Sequence, residues 1–144
     1  MIKNLMGDYE TVEYDSKRCI LLYDNVENEP YPVHWHDAVE MIMPMKNEYR
    51  VTVADEEYNL RENDILIVPP CELHSMPPMP GRRLIFQCDN SVLSQVAALE
   101  PIMRALNGPI LLTPEYDKEI HVMAKKTMLD ILTLYNSHAE LADV

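Results

Sequence analysis

The chain is divided between residues 19 and 88 into short apolar runs, each ended by a turn or by a pair of prolines. Short runs bounded by turn-forming residues are typical of β-strands, and several at regular spacing predict a β-sandwich or barrel. A chain of 144 residues is long enough to enclose one hydrophobic core, so we expect a single domain. The predicted strands are residues 19–23, 33–45, 50–54, 58–60, 65–68 and 84–88, with turns or loops at 28–32, 55–57, 61–64, 69–70 and 77–81.

The longest run, residues 33–45, forms one long strand or two and is apolar on both faces when extended. A strand that is apolar on both sides must be covered on both sides. We therefore expect the face with Ile42 to line a barrel interior and the other face to pack against helices or a partner subunit. A row of methionines could instead form an adaptable binding surface. The side chains predicted for this second face are Trp35, Val39, Met41, Met43 and Met45.

Two histidines and a glutamate lie close together in the sequence HWHDAVE, at residues 34–40. Side chains alternate along a strand, so His34, His36 and Glu40 would share one face of an extended chain. His74 follows later, in the sequence PPCELH. Three imidazoles and a carboxylate can bind a divalent metal such as zinc. They can equally form the polar floor of a pocket for a small polar ligand, and both interpretations stay open at this point.

The remainder of the chain is predicted to be helical, apart from one short strand at 110–112. A short helix is expected at about 91–106, broken or kinked at Pro101. A long amphipathic helix should run from Thr113, as the N-cap, to about residue 139. His121 and His138 are expected on its surface. The domain organisation is thus a barrel over residues 1–112 and a C-terminal amphipathic helix over 113–144, whose apolar stripe could pack on the barrel or against a second subunit.

The charge of the chain argues against nucleic acid as a direct partner. Twelve basic residues face twenty-four acidic ones, which gives a formal net charge of −12. A nucleic-acid surface needs clustered Lys and Arg, and an anionic membrane surface also attracts basic segments. No apolar run approaches the ~20 residues that cross a bilayer, and the N-terminus has no apolar signal segment. Three widely spaced cysteines suggest no disulfide framework, so a reducing, cytoplasmic location is expected.

The two histidine motifs resemble those of the cupin superfamily. His34, His36 and Glu40 fit the first motif, and Pro69 and His74 fit the second. At the positions where the family pattern has glycine, this sequence has asparagine or cysteine. Asparagine tolerates positive φ better than other non-glycine residues, whereas cysteine does not share this property. These positions are Asn28, Asn47, Asn63 and Cys71.

Within the cupins, the segments HWHDAVEMI, NDILIVPPCELHSM and LIFQCDN resemble the N-terminal effector-binding and dimerisation domain of AraC-type transcription regulators. This resemblance covers roughly residues 15–135. It implies a mainly β fold, a cupin-type double-stranded β-barrel or jelly roll followed by two C-terminal α-helices. In that family a basic helix-turn-helix domain follows the sensor domain. No such segment occurs in this sequence, so we expect an isolated sensor domain or a part of a longer regulator.

The resemblance implies a homodimer that senses a small-molecule effector, such as a sugar, and contacts DNA only through that additional domain. The expected ligand-binding residues are His34, His36, Glu40, His74 and Trp35, and no catalytic residue or obligatory cofactor is expected. The alternative is a small metal-dependent cupin enzyme, a dioxygenase or a sugar isomerase. It would use His34, His36, Glu40 and His74 as ligands of a divalent metal such as zinc. Cys71, beside this set, is expected to be a buried, inert thiol rather than a redox sensor.

Overall fold

A computed structural model describes residues 4–14 and 19–142, with side chains described as far as residue 137. The described residues are mainly β, as predicted, and the strands precede the long helix. The strands are β1 (Leu5–Met6), β2 (Tyr9–Glu10), β3 (Ile20–Asn25), β4 (Tyr31–His34), β5 (Val39–Lys46), β6 (Tyr49–Val53), β7 (Glu56–Leu60), β8 (Ile65–Val68), β9 (His74–Met76), β10 (Arg82–Cys88) and β11 (Ile110–Leu112). The helices are α1 (Asn90–Leu93), α2 (Glu100–Ala105) and α3 (Lys118–Ala142).

Two antiparallel sheets build the barrel. A five-stranded sheet has the order β11-β8-β5-β10-β3, and a four-stranded sheet has the order β4-β9-β6-β7. Strands that are distant in sequence lie side by side in both sheets, which is the connectivity of a jelly roll. Apolar side chains from both sheets meet in one buried cluster, which includes Ile42, Val51 and Leu66. This cluster is the barrel core, and it supports the polar site described below.

A second core lies between the outer face of the five-stranded sheet and α3. Met43 and Phe86 from the sheet and Met128 from the helix are buried together there. Met41 and Met45 pack at the edge of the same cluster. The helix packing predicted for this face of the long run is therefore confirmed for Met41, Met43 and Met45, whereas Trp35 and Val39 are not part of this cluster. Covering this face buries apolar surface that a sheet alone would expose to water.

The run at residues 33–45 forms two strands in different sheets. β4 lies at the edge of the four-stranded sheet, while β5 lies at the centre of the five-stranded sheet. The chain crosses from one sheet to the other between residues 35 and 38. The predicted loop at 28–32 was too long, because β4 begins at Tyr31 and contains Pro32. Proline is tolerated there because an edge strand leaves some backbone N–H groups without a partner strand.

The helical boundaries differ from the prediction in two places. The expected helix at about 91–106 is divided into α1 and α2 by turns, and Pro101 lies in the first turn of α2 rather than at a kink. The long helix begins at Lys118 instead of Thr113. Thr113 caps a separate turn, because its hydroxyl oxygen accepts a hydrogen bond from the N–H of Tyr116 at 3.1 Å. The Asp117 carboxylate caps α3 by accepting a hydrogen bond from the N–H of Ile120 at 3.0 Å.

The surface prediction for His121 is wrong. This side chain is buried, and its Nε2 lies 2.7 Å from the carbonyl oxygen of Asn63 in the turn between β7 and β8. The hydrogen bond joins the first turns of α3 to the barrel. The side chain of His138, for which the same prediction was made, lies outside the described residues.

The φ angles show which of the residues at the family's glycine positions adopt a glycine-like backbone conformation. Asn47 and Asn63 have positive φ angles of 66° and 70°, as their tolerance of this region predicts. Asn28 is not among the residues with positive φ. Cys71 also has a positive φ of 66°, so it occupies a glycine-like backbone position despite its β-carbon. No helix in the described part of the chain is long and apolar enough to cross a membrane.

Candidate functional site

Three histidines from different parts of the chain meet inside one end of the barrel. His34 is the last residue of β4, His36 lies in the crossing to β5, and His74 is the first residue of β9. Each side chain is buried, with an exposed fraction of 2% or less. The ring centroid of His74 lies 4.1 Å from that of His34 and 4.9 Å from that of His36. Equal parity along one strand is not the cause of this convergence, since His34 and His36 flank the crossing between the two sheets.

Backbone carbonyl groups fix the orientation of all three imidazole rings. The Nδ1 atoms of His34, His36 and His74 lie 2.7, 3.2 and 2.8 Å from the carbonyl oxygens of residues 32, 38 and 72. Each Nδ1–H donates to a carbonyl two residues away in sequence, so the local backbone sets the ring. The Nε2 atoms are thereby left for contacts within the site. This arrangement is the one that histidines adopt when Nε2 binds a ligand or a metal.

Two carboxylates and one amide complete the cluster. Glu40 Oε2 lies 2.9 Å from His36 Nε2, and Glu40 Oε1 lies 3.7 Å from His74 Nε2. Glu10 Oε2 lies 3.6 Å from His34 Nε2. The Gln87 amide donates to Glu40 Oε2 at 3.1 Å and to Glu10 Oε2 at 3.4 Å. The site therefore contains six polar side chains.

Glu10 and Gln87 were not among the residues predicted from the sequence. Gln87 is directly opposite Glu40 in the β10–β5 register, and an amide inside an otherwise apolar strand was the available signal. Glu10 lies in the N-terminal segment. Its backbone N–H donates to the carbonyl oxygen of Trp35 at 2.9 Å, which holds this segment beside the histidines. Nothing local in the sequence distinguishes Glu10 from the other acidic residues near it.

The pKa shifts in the site divide its side chains into charged and neutral groups. Burial opposes the ionisation of Glu40, but the hydrogen bond from His36 and the neighbouring imidazoles outweigh burial and lower the pKa of Glu40. Burial also opposes the charge on His36, but the Glu40 and Glu10 carboxylates raise the pKa of His36. Burial and the adjacent His74 lower the pKa of His34 to about 4, and burial lowers the pKa of His74. The resulting state is a His36–Glu40 ion pair beside two neutral imidazoles.

A cavity of about 380 Å³ opens over this cluster. Its floor includes Glu10, His34, Glu40 and Gln87, and its walls include apolar side chains such as Ile85. Three buried atoms of the cluster have no hydrogen-bond partner: Glu40 Oε1, Gln87 Oε1 and His74 Nε2. Buried polar atoms are normally paired, because leaving one unpaired costs about 1–3 kcal/mol. These atoms are therefore able to form a hydrogen bond with a bound ligand or with water.

The three histidines also fit a divalent metal. Their ligand atoms all lie within 4.8 Å of one another. Imidazole nitrogen suits zinc and related metals, and the carbonyl contacts to Nδ1 provide the outer hydrogen bonds usual around such ligands. Metal binding would displace the proton that His36 shares with Glu40, since a histidine ligand must be neutral.

Two other predicted residues lie apart from the cluster. Trp35 packs on Tyr9, with ring centroids 4.6 Å apart, and its Nε1 lies 3.4 Å from Asp8 Oδ1. It does not line the cavity, so its predicted ligand contact has no geometric support. Cys71 is exposed rather than buried, and its Sγ lies 3.6 Å from Asp37 Oδ1. Partial loss of hydration and the Asp37 carboxylate raise the pKa of the Cys71 thiol, so the expected low reactivity agrees with the structure although the expected burial does not.

One family model and several solved structures match the chain. The family model described as AraC-like ligand binding domain matches residues 20–120. ToxT from Vibrio cholerae has a TM-score of 0.44 and 10% identity, with 74% of this chain and 45% of that chain covered. A cupin protein from Bacteroides fragilis has a TM-score of 0.44 and 15% identity, with 66% and 96% covered.

A mutant of Bacillus subtilis oxalate decarboxylase has a TM-score of 0.41 and 22% identity. That match covers 50% of this chain and 21% of the decarboxylase, so the chain spans about a fifth of its length. No curated protein sequence matches the chain.

Proposed function

Because the chain belongs to the family of AraC-like ligand-binding domains, we propose that it senses a small polar effector in the cavity over His34 and Glu40. The observation that carries this proposal is the set of unpartnered buried atoms at the cavity floor. Binding sites of small molecules combine apolar walls with a few well-placed polar groups, and this cavity has both. Its volume also lies within the roughly 300–1,000 Å³ that is usual for such sites.

The effector signal would pass through β5 to α3. Glu40 points into the site from β5, while Met41 and Met43 on the opposite face pack with Met128 of the helix. A ligand that displaces the backbone of β5 at Glu40 would therefore also shift the surface against which α3 packs. In a two-state mechanism the effector stabilises one arrangement of α3 over another. A regulator could use this change to alter the spacing of its DNA-binding domains.

The same helix supports the proposal of a homodimer. Ile120, Met123 and Leu134 are exposed by 44%, 64% and 59%, and their spacing places them along one side of α3. This stripe adjoins the side that packs on the barrel. An exposed apolar stripe on a helix can be buried against the same helix of a second subunit by two-fold symmetry. The dimer would belong to a cytoplasmic transcription regulator that contacts DNA through a helix-turn-helix domain.

Binding of small polar molecules tests the sensing half of the proposal. Thermal-shift screening of sugars and other polar metabolites, followed by calorimetric titration of the hits, should identify ligands that stabilise the protein. Gln87→Ala should weaken their binding, because it removes a polar atom from the cavity floor. Gln95→Ala changes the same residue type at an exposed position and should have no effect. Equal affinities for both variants would contradict the proposed site.

Light scattering of the purified chain tests the dimer. The wild-type protein should form dimers, and Met123→Glu should shift it towards monomer by placing a charge within the apolar stripe. Val122→Glu is the matched control, since Val122 is also exposed but lies on another side of α3. A wild-type protein that remains monomeric at high concentration would refute dimerisation without affecting the ligand proposal.

A metal-dependent enzyme, such as a dioxygenase or a sugar isomerase, is the second candidate because the three Nε2 atoms converge. The metal would supply a Lewis acid, while His34, His36 and His74 would hold it beside Glu40. Elemental analysis of protein purified without added metal should then show stoichiometric metal that His34→Ala removes. Metal-free protein that still binds its effector would exclude this candidate.

A further inference from the structure

The unpartnered atoms of the cavity floor are hydrogen-bond acceptors. Glu40 Oε1 and Gln87 Oε1 are carboxylate and amide oxygens, which can only accept. His74, which lies behind the floor and does not line the cavity, donates through Nδ1 to a backbone carbonyl, so the Nε2 atom of its neutral ring also accepts. A ligand that satisfies this floor must therefore bring hydrogen-bond donors. This requirement depends on atom types and burial, and it already disfavours carboxylates and phosphates as effectors.

The charged side chains that line the cavity are all acidic, and the positively charged His36 and Arg83 beside it do not belong to the lining. Glu10 and Glu40 lie at the floor, and the exposed Glu13 and Glu27 lie nearer the mouth. Among the described residues that line the cavity there is no lysine or arginine. A cleft with charges of one sign attracts ligands of the opposite sign and repels those of the same sign. The acidic lining and the unpaired acceptors thus both favour a ligand with a positive charge and hydrogen-bond donors.

Two tyrosines on the cavity wall also favour a positively charged ligand. Tyr23 and Tyr31 both line the cavity, and burial raises the pKa of each hydroxyl to about 12. Both rings are therefore neutral, and a neutral tyrosine ring attracts a cation to its face. The Tyr31 hydroxyl oxygen accepts a hydrogen bond from the Asn25 amide at 2.6 Å, which holds the side chain in place.

We propose that the effector of this domain carries a cationic nitrogen, a protonated amine or a guanidinium group, which binds at the acceptors of Glu40 and Gln87. This inference rests on the proposed function, since it names the ligand class of the same cavity. An ammonium or guanidinium group brings several N–H donors together with the positive charge, and charge-assisted hydrogen bonds are stronger than neutral ones. A neutral polyol meets only part of this requirement.

Matched sets of probes can test the ligand class directly. Each set has one scaffold with an amine, a hydroxyl or a carboxylate: glucosamine, glucose and glucuronate; ethanolamine, ethylene glycol and glycolate; benzylamine, benzyl alcohol and benzoate. Chelator-treated protein is titrated with each probe by calorimetry or ligand-observed NMR. The amine of at least one set should bind about tenfold or more tightly than its neutral partner, and the carboxylates should bind most weakly.

Charge-reversal variants separate the cavity from the overall charge of the protein. Glu13→Lys should weaken binding of the amine and strengthen that of the carboxylate, because Glu13 lies in the cavity wall and is exposed enough to be replaced without unfolding. Glu48→Lys makes the same change of net charge at an exposed position away from the cavity and should leave both affinities unchanged. Equal effects of the two variants would show that binding is non-specific and would overturn the inference.

The outcomes distinguish this inference from the proposed function. Binding of hydroxyl or carboxylate probes in preference to amines would overturn the cationic class while leaving the cavity as an effector site. Absence of binding by every probe of all three sets would count against the cavity as a small-molecule site, and both proposals would fall together. Preferential amine binding that Glu13→Lys reduces would support both.

Discussion

The neutral state of His34 should make the protein sensitive to mild acid. Its pKa is lowered to about 4 from the ordinary value of 6.5 by burial and by His74, so the folded protein resists protonation of this ring. The unfolded chain binds the proton readily. The unfolded state therefore binds more protons as the pH falls below 6.5, and the free energy of unfolding must decrease.

The size of this effect follows from the two pKa values. His34 contributes fully above about pH 6.5, and its contribution is lost progressively as the pH falls towards 4. At about pH 4.5 the linkage relation gives a loss of about 2.5 kcal/mol from this residue. His74 acts in the same direction, because burial lowers its pKa as well. His36 acts in the opposite direction, since its raised pKa gives stability that is present at low pH and lost as the pH rises.

Urea denaturation of chelator-treated protein at about pH 7.5 and pH 4.5 measures the loss, with His34→Gln as the test variant. The variant cannot be protonated at this position, so its loss of stability between the two pH values should be smaller than that of the wild type by about 2.5 kcal/mol. Gln95→Ala, on the surface, should keep the wild-type difference. If His34→Gln loses as much stability as the wild type, or if the His34 ring titrates near 6.5 by NMR, the argument from burial is wrong.

Three further predictions concern the packing of α3 and the backbone at Cys71. Met128→Ala should lower the free energy of unfolding by about 2–4 kcal/mol in urea titrations, because it leaves a cavity between α3 and the sheet. His121→Phe should cost about 1–3 kcal/mol by leaving the Asn63 carbonyl unpaired, and hydrogen exchange should increase in the first turns of α3. Cys71→Gly should keep the wild-type melting temperature, whereas Cys71→Val should lower stability by at least about 1 kcal/mol, because a β-branched side chain disfavours a φ of 66°. Equal stabilities of the two Cys71 variants would contradict the strain argument.

The strand pattern was predictable because it depends on neighbours in the sequence. Alternating or continuous apolar runs between turn residues gave β6, β8 and β10 nearly at their observed limits. Asparagine at residues 47 and 63 predicted positive φ for the same local reason. The helix start was placed too early because Thr113 and Asp117 are both suitable caps, and the choice between them depends on where α3 packs on the sheet.

The site was predictable only in part. His34, His36, Glu40 and His74 stand out in the sequence because histidine pairs and a downstream glutamate are unusual on apolar strands, and the structure brings these four together. Glu10 and Gln87 join them through contacts between residues that are far apart in the sequence. Trp35, adjacent to two of the histidines, faces the N-terminal segment instead. A residue next to the histidine motif in sequence, such as Trp35, therefore need not lie in the cluster, and residues far from the motif, such as Glu10 and Gln87, can.

The sequence by itself determined the mainly β architecture, the family and the four polar residues that mark one end of the barrel. Those features follow from local patterns of hydrophobicity, turn chemistry and unusual buried side chains. Only the tertiary structure decided that the long run crosses between two sheets, that Gln87 lies opposite Glu40, and that His121 is buried against the barrel. The physical reason is that these contacts join residues distant in the chain, and a local sequence pattern does not identify the partner strand or helix.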